Sequence, residues 1–408
     1  MKSTSYPRNK VKILLLEGID DSAVNAFREA GYSPAVLSDA MTEEELLDAV
    51  RDLHILGIRS KTQVSQRVLE SAPHLLAIGC FCIGTNQVDL EHAANVGTPV
   101  FNAPFSNTRS VAELVIGEII MLARKAAFRS SQLHQGVWVK SAKGSHEVRG
   151  KKLGIVGYGH IGPQVGLLGE SLGMEVCFHD IEKKLPLGNA VSLPSLEDVL
   201  KNSDFVSLHV PETPLTRNLI TERELRMMRR GSCLLNLSRG TVVDIDALRA
   251  ALVDGHLAGA AVDVFPYEPN SNDEPFESPL LGLENVILTP HIGGSTIEAQ
   301  RSIGGEVSDA LLKFLELGTT SGAVNFPQVN LPYLDGFHRV LNIHRNQPGV
   351  LGEINGIIAK TGANIVAQQL ATQSEIGYLI MDVGRELSRE VKQQMDTIEA
   401  NIRTRLLF

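Results

Sequence analysis

Three residues far apart in the chain have the types needed to move a hydride and a proton together. Arg239 follows the apolar run SCLLNLS, Glu268 follows AVDVFPY, and His291 follows VILTP just ahead of Gly293-Gly294. An imidazole titrates near neutral pH and suits the removal of a hydroxyl proton. A carboxylate beside it would orient the ring and raise its pKa. A guanidinium can grip a substrate carboxylate through two parallel bonds. Oxidising a secondary alcohol next to a carboxylate needs all three, together with a hydride acceptor. Taken singly, each has a plainer reading: a structural histidine, a surface turn at Glu268-Pro269, and a helix-entry arginine before Gly240.

The acceptor is indicated by the stretch Lys152 to Asp180. Leu153 to Val156 is a short apolar run of the kind that forms a buried parallel strand. Gly157, Gly159 and Gly162 follow it at G-x-G-x-x-G spacing. The first permits a tight turn, the second lets a pyrophosphate approach the backbone, and the third lets the next helix pack close. That helix, with Pro163 near its first turn where a missing N–H costs little, offers free N–H groups and a positive dipole end to phosphates. A second strand, Met174 to His179, ends in Asp180, where an acid binds ribose hydroxyls. Its charge favours NAD over a 2′-phosphorylated dinucleotide, although Lys183 and Lys184 stand close by.

Elements must carry these residues to one place. Runs at Asp204–Val210, Ser232–Leu237, Ala258–Phe265 and Asn285–Thr289, separated by helical segments, predict a Rossmann-type doubly wound parallel sheet. All three polar residues then fall at its carboxyl edge. Before it, Val11–Leu16, His54–Ile58, Leu75–Gly79 and Pro99–Phe101 alternate with helices at Asp21–Ala30 and Glu43–Leu53, predicting a separate α/β layer. Arg59-Ser60 directly follow one of its strands. Long helices are expected at Asn107–Ala123, capped by Asn107 or Thr108, and at Ser295–Leu317. Phe128–Val148, with Trp138 and Lys140, is expected as a contact loop. Pro327–Gly336 reads as a linker. The tail then runs in β-α-β-β-α order, closing on a helix at Ser388–Asn401. The expected division is residues 1–106 with 296–330 as a discontinuous, flavodoxin-like substrate domain, 107–295 as the dinucleotide domain, and 336–408 as a small α+β domain.

The chain has 408 residues, 43% hydrophobic and 21% charged, the composition of an ordinary globular protein of two or three domains. Its formal charge of -9 argues against a nucleic-acid partner. The four cysteines form no metal-ligand pattern and read as reduced thiols of a cytoplasmic protein. Met1–Lys10 reads as a loose tail without the apolar core of a signal peptide, and no run is long enough to span a bilayer.

GYGHIG, LLNLSRG, VDVFPYEP and LTPHIGGST, in that order, resemble the D-isomer-specific 2-hydroxyacid dehydrogenases over Val11 to about Gly318. The resemblance implies His291 as acid/base, Glu268 as its partner, and Arg239 as the substrate-carboxylate ligand. It implies NAD held by Gly157, Gly159, His160, Ile161, Gly162, Asp180, Leu237, Ser238, Arg239, Asp263, His291, Gly293 and Gly294. Arg59, Ser60, Asn107, Lys140 and Arg239 match substrate-side positions. The tail, HRVLNIHRNQPGVLGEING…TGANIVAQQ, resembles an ACT regulatory domain. A member with one such C-terminal domain is expected to oxidise a phosphorylated 2-hydroxy acid, 3-phospho-D-glycerate, under feedback by L-serine. His344, Asn346 and Asn364 match the effector positions, and a homo-oligomer, by resemblance a tetramer, is implied. Three other readings stay open. They are a different 2-hydroxy acid such as 2-hydroxyglutarate, an NAD-sensing regulatory protein, and an ACT-like tail that serves only dimerisation.

Overall fold

The structure, a computed structural model, describes residues 7–269 and 274–408. The tail expected at Met1–Lys10 lies largely outside them; Arg8–Lys10 form one turn of 3-10 helix. The chain divides into two compact units, one ending at Ser106 and resuming over Gln300–Phe408, the other Asn107–Ala299.

The first unit holds two sheets. Strands β1 (Ile13–Leu15), β2 (Ala35–Val36), β3 (Ile55–Ile58), β4 (Ala77–Cys80) and β5 (Val100–Asn102) pair in parallel in the order β2-β1-β3-β4-β5. This is the flavodoxin-like order. Strands β1, β3 and β4 are fully buried, which explains their unbroken apolar runs. The helix expected over Glu43–Leu53 stops at Ala49 and tightens into a 3-10 turn. Its start is fixed by a capping box between Thr42 and Glu45.

The second unit carries β6 (Lys152–Val156), β7 (Glu175–His179), β8 (Val191–Ser192), β9 (Phe205–Leu208), β10 (Cys233–Asn236), β11 (Gly259–Val262) and β12 (Val286–Leu288). All pair in parallel, in the order β12-β11-β10-β9-β6-β7-β8. This is the doubly wound dinucleotide order with one further strand, and it reverses direction between β6 and β9. The expected contact loop at Phe128–Val148 is in part helical, because Ala126–His134 form a helix. The rest is irregular, with Trp138 78% exposed.

The tail contains one element more than its pattern suggested. β13 (His338–Arg345), β14 (Ile365–Gln373) and β15 (Ile376–Val383) are joined by β16 (Asn401–Leu407), in the antiparallel order β14-β15-β13-β16. The final helix ends at Met395 instead of Asn401. The strand NIRTRLL escapes notice because two arginines occupy positions that alternation would fill with apolar residues. One face of this sheet packs on helices Val350–Thr361 and Ser388–Met395. From the other, Leu341, Ile343, Tyr378 and Ile380 join the same apolar cluster as Phe27, Phe101 and Phe314. Arg339, 2% exposed, locks the linker to this sheet. Its donors reach Asp382 and the carbonyls of Leu317, Leu331 and Pro332 at 2.7–3.1 Å. All five N–H groups are thereby satisfied, the condition on which a buried charge is tolerable. Among the described residues no helix is long and apolar enough to cross a membrane.

Candidate active site

The glycine loop shows three distinct environments. Gly157 has φ +91°, and a Cβ there would stand 2.4 Å from His209 O. A Cβ on Gly162 would stand 2.4 Å from Gly157 O, so the helix Ile161–Ser171 packs directly on the turn. Gly159 faces open space, with nothing within 4 Å. That is the cradle a pyrophosphate needs. His160 occupies the N-cap position and Ile161 opens the helix. Asp180 fixes the loop as well as ending β7, since its carboxylate accepts from Tyr158 N at 2.7 Å and from Glu182 N at 2.9 Å. The Tyr158 ring stacks on Phe178, with centroids 3.7 Å apart. Accordingly, Gly159→Ala leaves the melting temperature in place and weakens NAD binding, whereas Gly162→Ala destabilises by roughly 1–3 kcal/mol through overpacking. Thermal unfolding and NADH fluorescence titration separate the two.

The carboxyl ends of β10, β11 and β12 bring the three candidate catalytic residues together. Gly240 lies so close to the end of β11 that a Cβ would meet Phe265 O at 2.1 Å. Arg239 sits on that junction and donates to Ser238 O at 2.7 Å. Ser238 and Leu237 are both buried, and Asn236 Oδ1 accepts from the Ser238 hydroxyl at 2.8 Å. Glu268 turns back on its own strand end, accepting Phe265 N at 3.0 Å through one oxygen. Its other oxygen meets His291 Nδ1 at 2.8 Å. His291 itself has φ +53°, an uncommon conformation for a side-chain-bearing residue.

That conformation is held by Asp263, which is 1% exposed. Its carboxylate accepts from Thr289 Oγ1 at 2.6 Å, Ile292 N at 2.8 Å and Gly293 N at 2.9 Å. Its own carbonyl accepts His291 N at 2.8 Å. The pattern of strand ends places Asp263 near the site but gives no hint that it anchors the loop bearing His291. Gly294 rests against the Asn107 amide, where a Cβ would stand 2.2 Å from Nδ2. Asn107 takes the N-cap position of helix Thr108–Arg124 but makes no capping bond, and its buried Oδ1 has no partner. Glu118 on the same helix is 1% exposed, with both oxygens unpartnered. Burial, assisted by the Asp263 charge, pushes its pKa up to about 8, so it is neutral at pH 7.

The hydrogen bond that His291 donates to Glu268 raises the His291 pKa, against the opposing effect of burial. Burial tends to raise Glu268, but the bonds from His291 and Phe265 N and the charge of Arg239 outweigh it and leave it lowered. The two opposite shifts widen the pH range over which imidazolium stands beside carboxylate, and above it the ring is neutral with Nδ1 held by Glu268. A base so held can take a proton at Nε2 and return it.

In the first unit, Arg59 and Ser60 leave the carboxyl end of β3. Glu17, a buried residue with φ +61°, organises this turn. Its carboxylate accepts the backbone N–H groups of Arg59, Lys61 and Thr62 at 3.1, 3.0 and 2.9 Å. An acid directly after the β1 run was the available signal, and the strand pattern alone passes over it. Glu17→Gln turns an amide toward the Lys61 N–H. Losing one such bond leaves a buried N–H facing a donor and destabilises the fold by about 1–3 kcal/mol, which thermal unfolding would show. Lys140 is exposed beyond helix Ala126–His134, and among the described residues no hydrogen bond or ion pair joins it to Arg239, Glu268 or His291.

The expected effector residues do not converge within one chain. His344 is buried, with Nδ1 2.8 Å from Asn342 Oδ1 and its ring over Gly377. Asn346 donates to Ser374 O at 3.0 Å just beyond β13. Asn364 precedes Ile365, which pairs with Val383, as does His338 at the other end of β13. Eight residues of strand thus separate the two asparagines, roughly 25 Å at strand rise.

Residues 116–293 match the D-isomer specific 2-hydroxyacid dehydrogenase, NAD binding domain, and residues 341–403 an AHAS small subunit-like ACT domain. A protein of Escherichia coli K12 named D-3-phosphoglycerate dehydrogenase is 53% identical over 411 residues, covering 100% of both chains. One of that name from Dictyostelium discoideum is 51% identical, covering 100% of this chain and 99% of that one. Among solved structures, the D-lactate dehydrogenase of Aquifex aeolicus, complexed with NAD and lactic acid, aligns with TM-score 0.67 at 25% identity, over 78% of this chain and 100% of that one. With a glycine cradle shaped for NAD and relatives that match it from end to end, the chain belongs to the D-isomer-specific 2-hydroxyacid dehydrogenases.

Proposed function

We propose that the protein oxidises 3-phospho-D-glycerate to 3-phosphohydroxypyruvate, the first step of serine formation. The observation that carries this reading is the pairing of the Glu268–His291 couple with Arg239 at the edge beside the glycine cradle, in a chain whose full-length relatives bear the corresponding name. Bound NAD supplies the hydride acceptor at C2. Arg239 holds the substrate carboxylate in a bidentate grip. His291, kept in orientation by Glu268, takes the C2 hydroxyl proton, and the proton leaves to solvent once product departs. By the family resemblance Arg59 and Lys140 are the partners for the phosphate, and Ser60 and Asn107 match further substrate-side positions. A panel of 2-hydroxy and 2-oxo acids assayed with NAD(H) tests the assignment. Strong preference for 2-oxoglutarate over the phosphorylated acid would replace it.

The regulatory reading is L-serine bound at an interface between ACT domains of a homo-oligomer, in which Asn364 of the partner subunit meets His344 and Asn346. The placement of Asn346 and Asn364 at opposite ends of one sheet favours a site shared by two copies. Either Asn346→Ala or Asn364→Ala then raises the serine concentration for half-inhibition by roughly tenfold or more, the value of one hydrogen bond to a charged group. Inhibition curves that overlie those of the parent enzyme would remove serine from these residues.

A further inference from the structure

Between the β16 edge of the C-terminal sheet and the flavodoxin-like layer lies a cavity of about 750 Å³ within the first unit. Its walls carry Arg8, Arg389, Lys392, Arg403 and Arg405, with Glu316 as the acid among them. Some of these charges are already neutralised. Arg8 pairs with Glu316 at 2.7 Å and Lys392 with Asp396 at 2.5 Å. Arg403 and Arg405 are not. They stand two residues apart on β16, opposite Ile343 and Leu341, and so share one face of the sheet. Arg403 donates to Leu75 O at 2.5 Å and Arg405 to Leu315 O at 3.1 Å. Among the described residues no carboxylate forms an ion pair with either. A guanidinium has five donors, so most of their capacity is unused. Nη1 of Arg405 and Nε of Arg8 are enclosed with no partner at all.

Two half-buried like charges without a counter-ion are an unfavourable arrangement that an oxyanion would relieve. Burial, with Arg405 beside it, pushes the Arg403 pKa down to about 10, which still leaves it charged at neutral pH. The rest of the wall includes Arg339, already paired with Asp382, the two imidazoles of His54 and His74, and apolar and aromatic surface such as Leu76 and Tyr32, the latter with Arg8 over its ring. That volume exceeds the need of a bare inorganic ion and suits a small organic molecule. We infer that this cavity is a binding site for a phosphate dianion, free or as the phosphoryl group of a small metabolite, gripped by Arg403 and Arg405. Because β16 pairs with β13, which bears His344, while Leu75 and Leu315 belong to the α/β layer, the bound anion ties the two sheets together. The site lies on other residues than the proposed substrate site, and its existence does not depend on which acid is oxidised.

Equilibrium dialysis of the full chain with labelled inorganic phosphate, and in parallel with glycerol phosphate, tests it. Binding is expected to survive Arg59→Gln, which weakens only the substrate site, and to weaken at least tenfold in Arg403→Gln/Arg405→Gln, the loss of about one charged contact. Tighter binding of the ester than of the free ion identifies a metabolite as the occupant; the reverse identifies phosphate. Should the double variant fold poorly, hydrogen exchange on the unaltered protein decides. Amides of residues 401–407 are expected to slow on adding phosphate but not chloride of equal ionic strength. Phosphate binding undiminished in a folded double variant, or exchange at 401–407 unaffected by phosphate, overturns the inference.

Discussion

Replacing His291 by alanine lowers turnover on the order of 10²- to 10⁴-fold, the usual value of a positioned acid/base, and lowers NADH affinity far less. The ring is paired to Glu268 at 2.8 Å and belongs to a different loop from the glycine turn, so its loss removes the proton acceptor while the pyrophosphate cradle stays in place. The pH profile carries the same information. Glu268 raises the His291 pKa, so the neutral ring able to accept a proton becomes populated only above the ordinary imidazole value. Oxidation therefore increases as pH rises through that raised value, and reduction declines over the same range. In Glu268→Gln the limb moves to lower pH. The linkage to stability follows the same signs. The ion pair stabilises the fold between the lowered Glu268 value and the raised His291 value; its contribution is lost as pH rises through the latter or falls through the former. Turnover retained in His291→Ala, or a limb that stays put in Glu268→Gln, removes His291 from the proton step.

Asp263→Asn is expected to be nearly as damaging, although Asp263 transfers no proton in the proposed reaction. The carboxylate accepts three hydrogen bonds, from Thr289, Ile292 and Gly293, within a site from which water is excluded. An asparagine of the same shape keeps one oxygen and turns an NH2 toward a donor. If the oxygen stays with Thr289 and Ile292, the Gly293 N–H is left facing another donor. At roughly 1.5–3 kcal/mol for each bond to a charged group, stability falls by about 3 kcal/mol. A drop of that size lowers the melting temperature by several degrees. The larger effect is on turnover. His291 keeps its φ of +53° because this carboxylate and the Asp263 carbonyl hold the backbone on both sides of it. A shift of about 1 Å in the loop costs on the order of 10²-fold in rate. Calorimetry and single-turnover hydride transfer measure the two consequences separately. An Asp263→Asn protein with the parent melting temperature and full rate would mean that the loop is held by something else.

The sequence by itself determined the two parallel layers, the position of the glycine turn and the residues at the strand ends. Buried parallel strands must be continuous apolar runs, and a dinucleotide loop must carry glycine where a Cβ would strike His209 O or Gly157 O. Those constraints act over a few neighbouring positions and leave a local imprint. Tertiary structure alone decided the rest. It made Asp263 and Glu17 loop anchors, buried Glu118 with no hydrogen-bond partner, and turned NIRTRLL into a strand. It also set Asn346 and Asn364 at opposite ends of one sheet. In each case the deciding partner lies far along the chain or across a sheet. Satisfying a buried polar group is a property of the folded surroundings, and spacing along the polymer does not encode it.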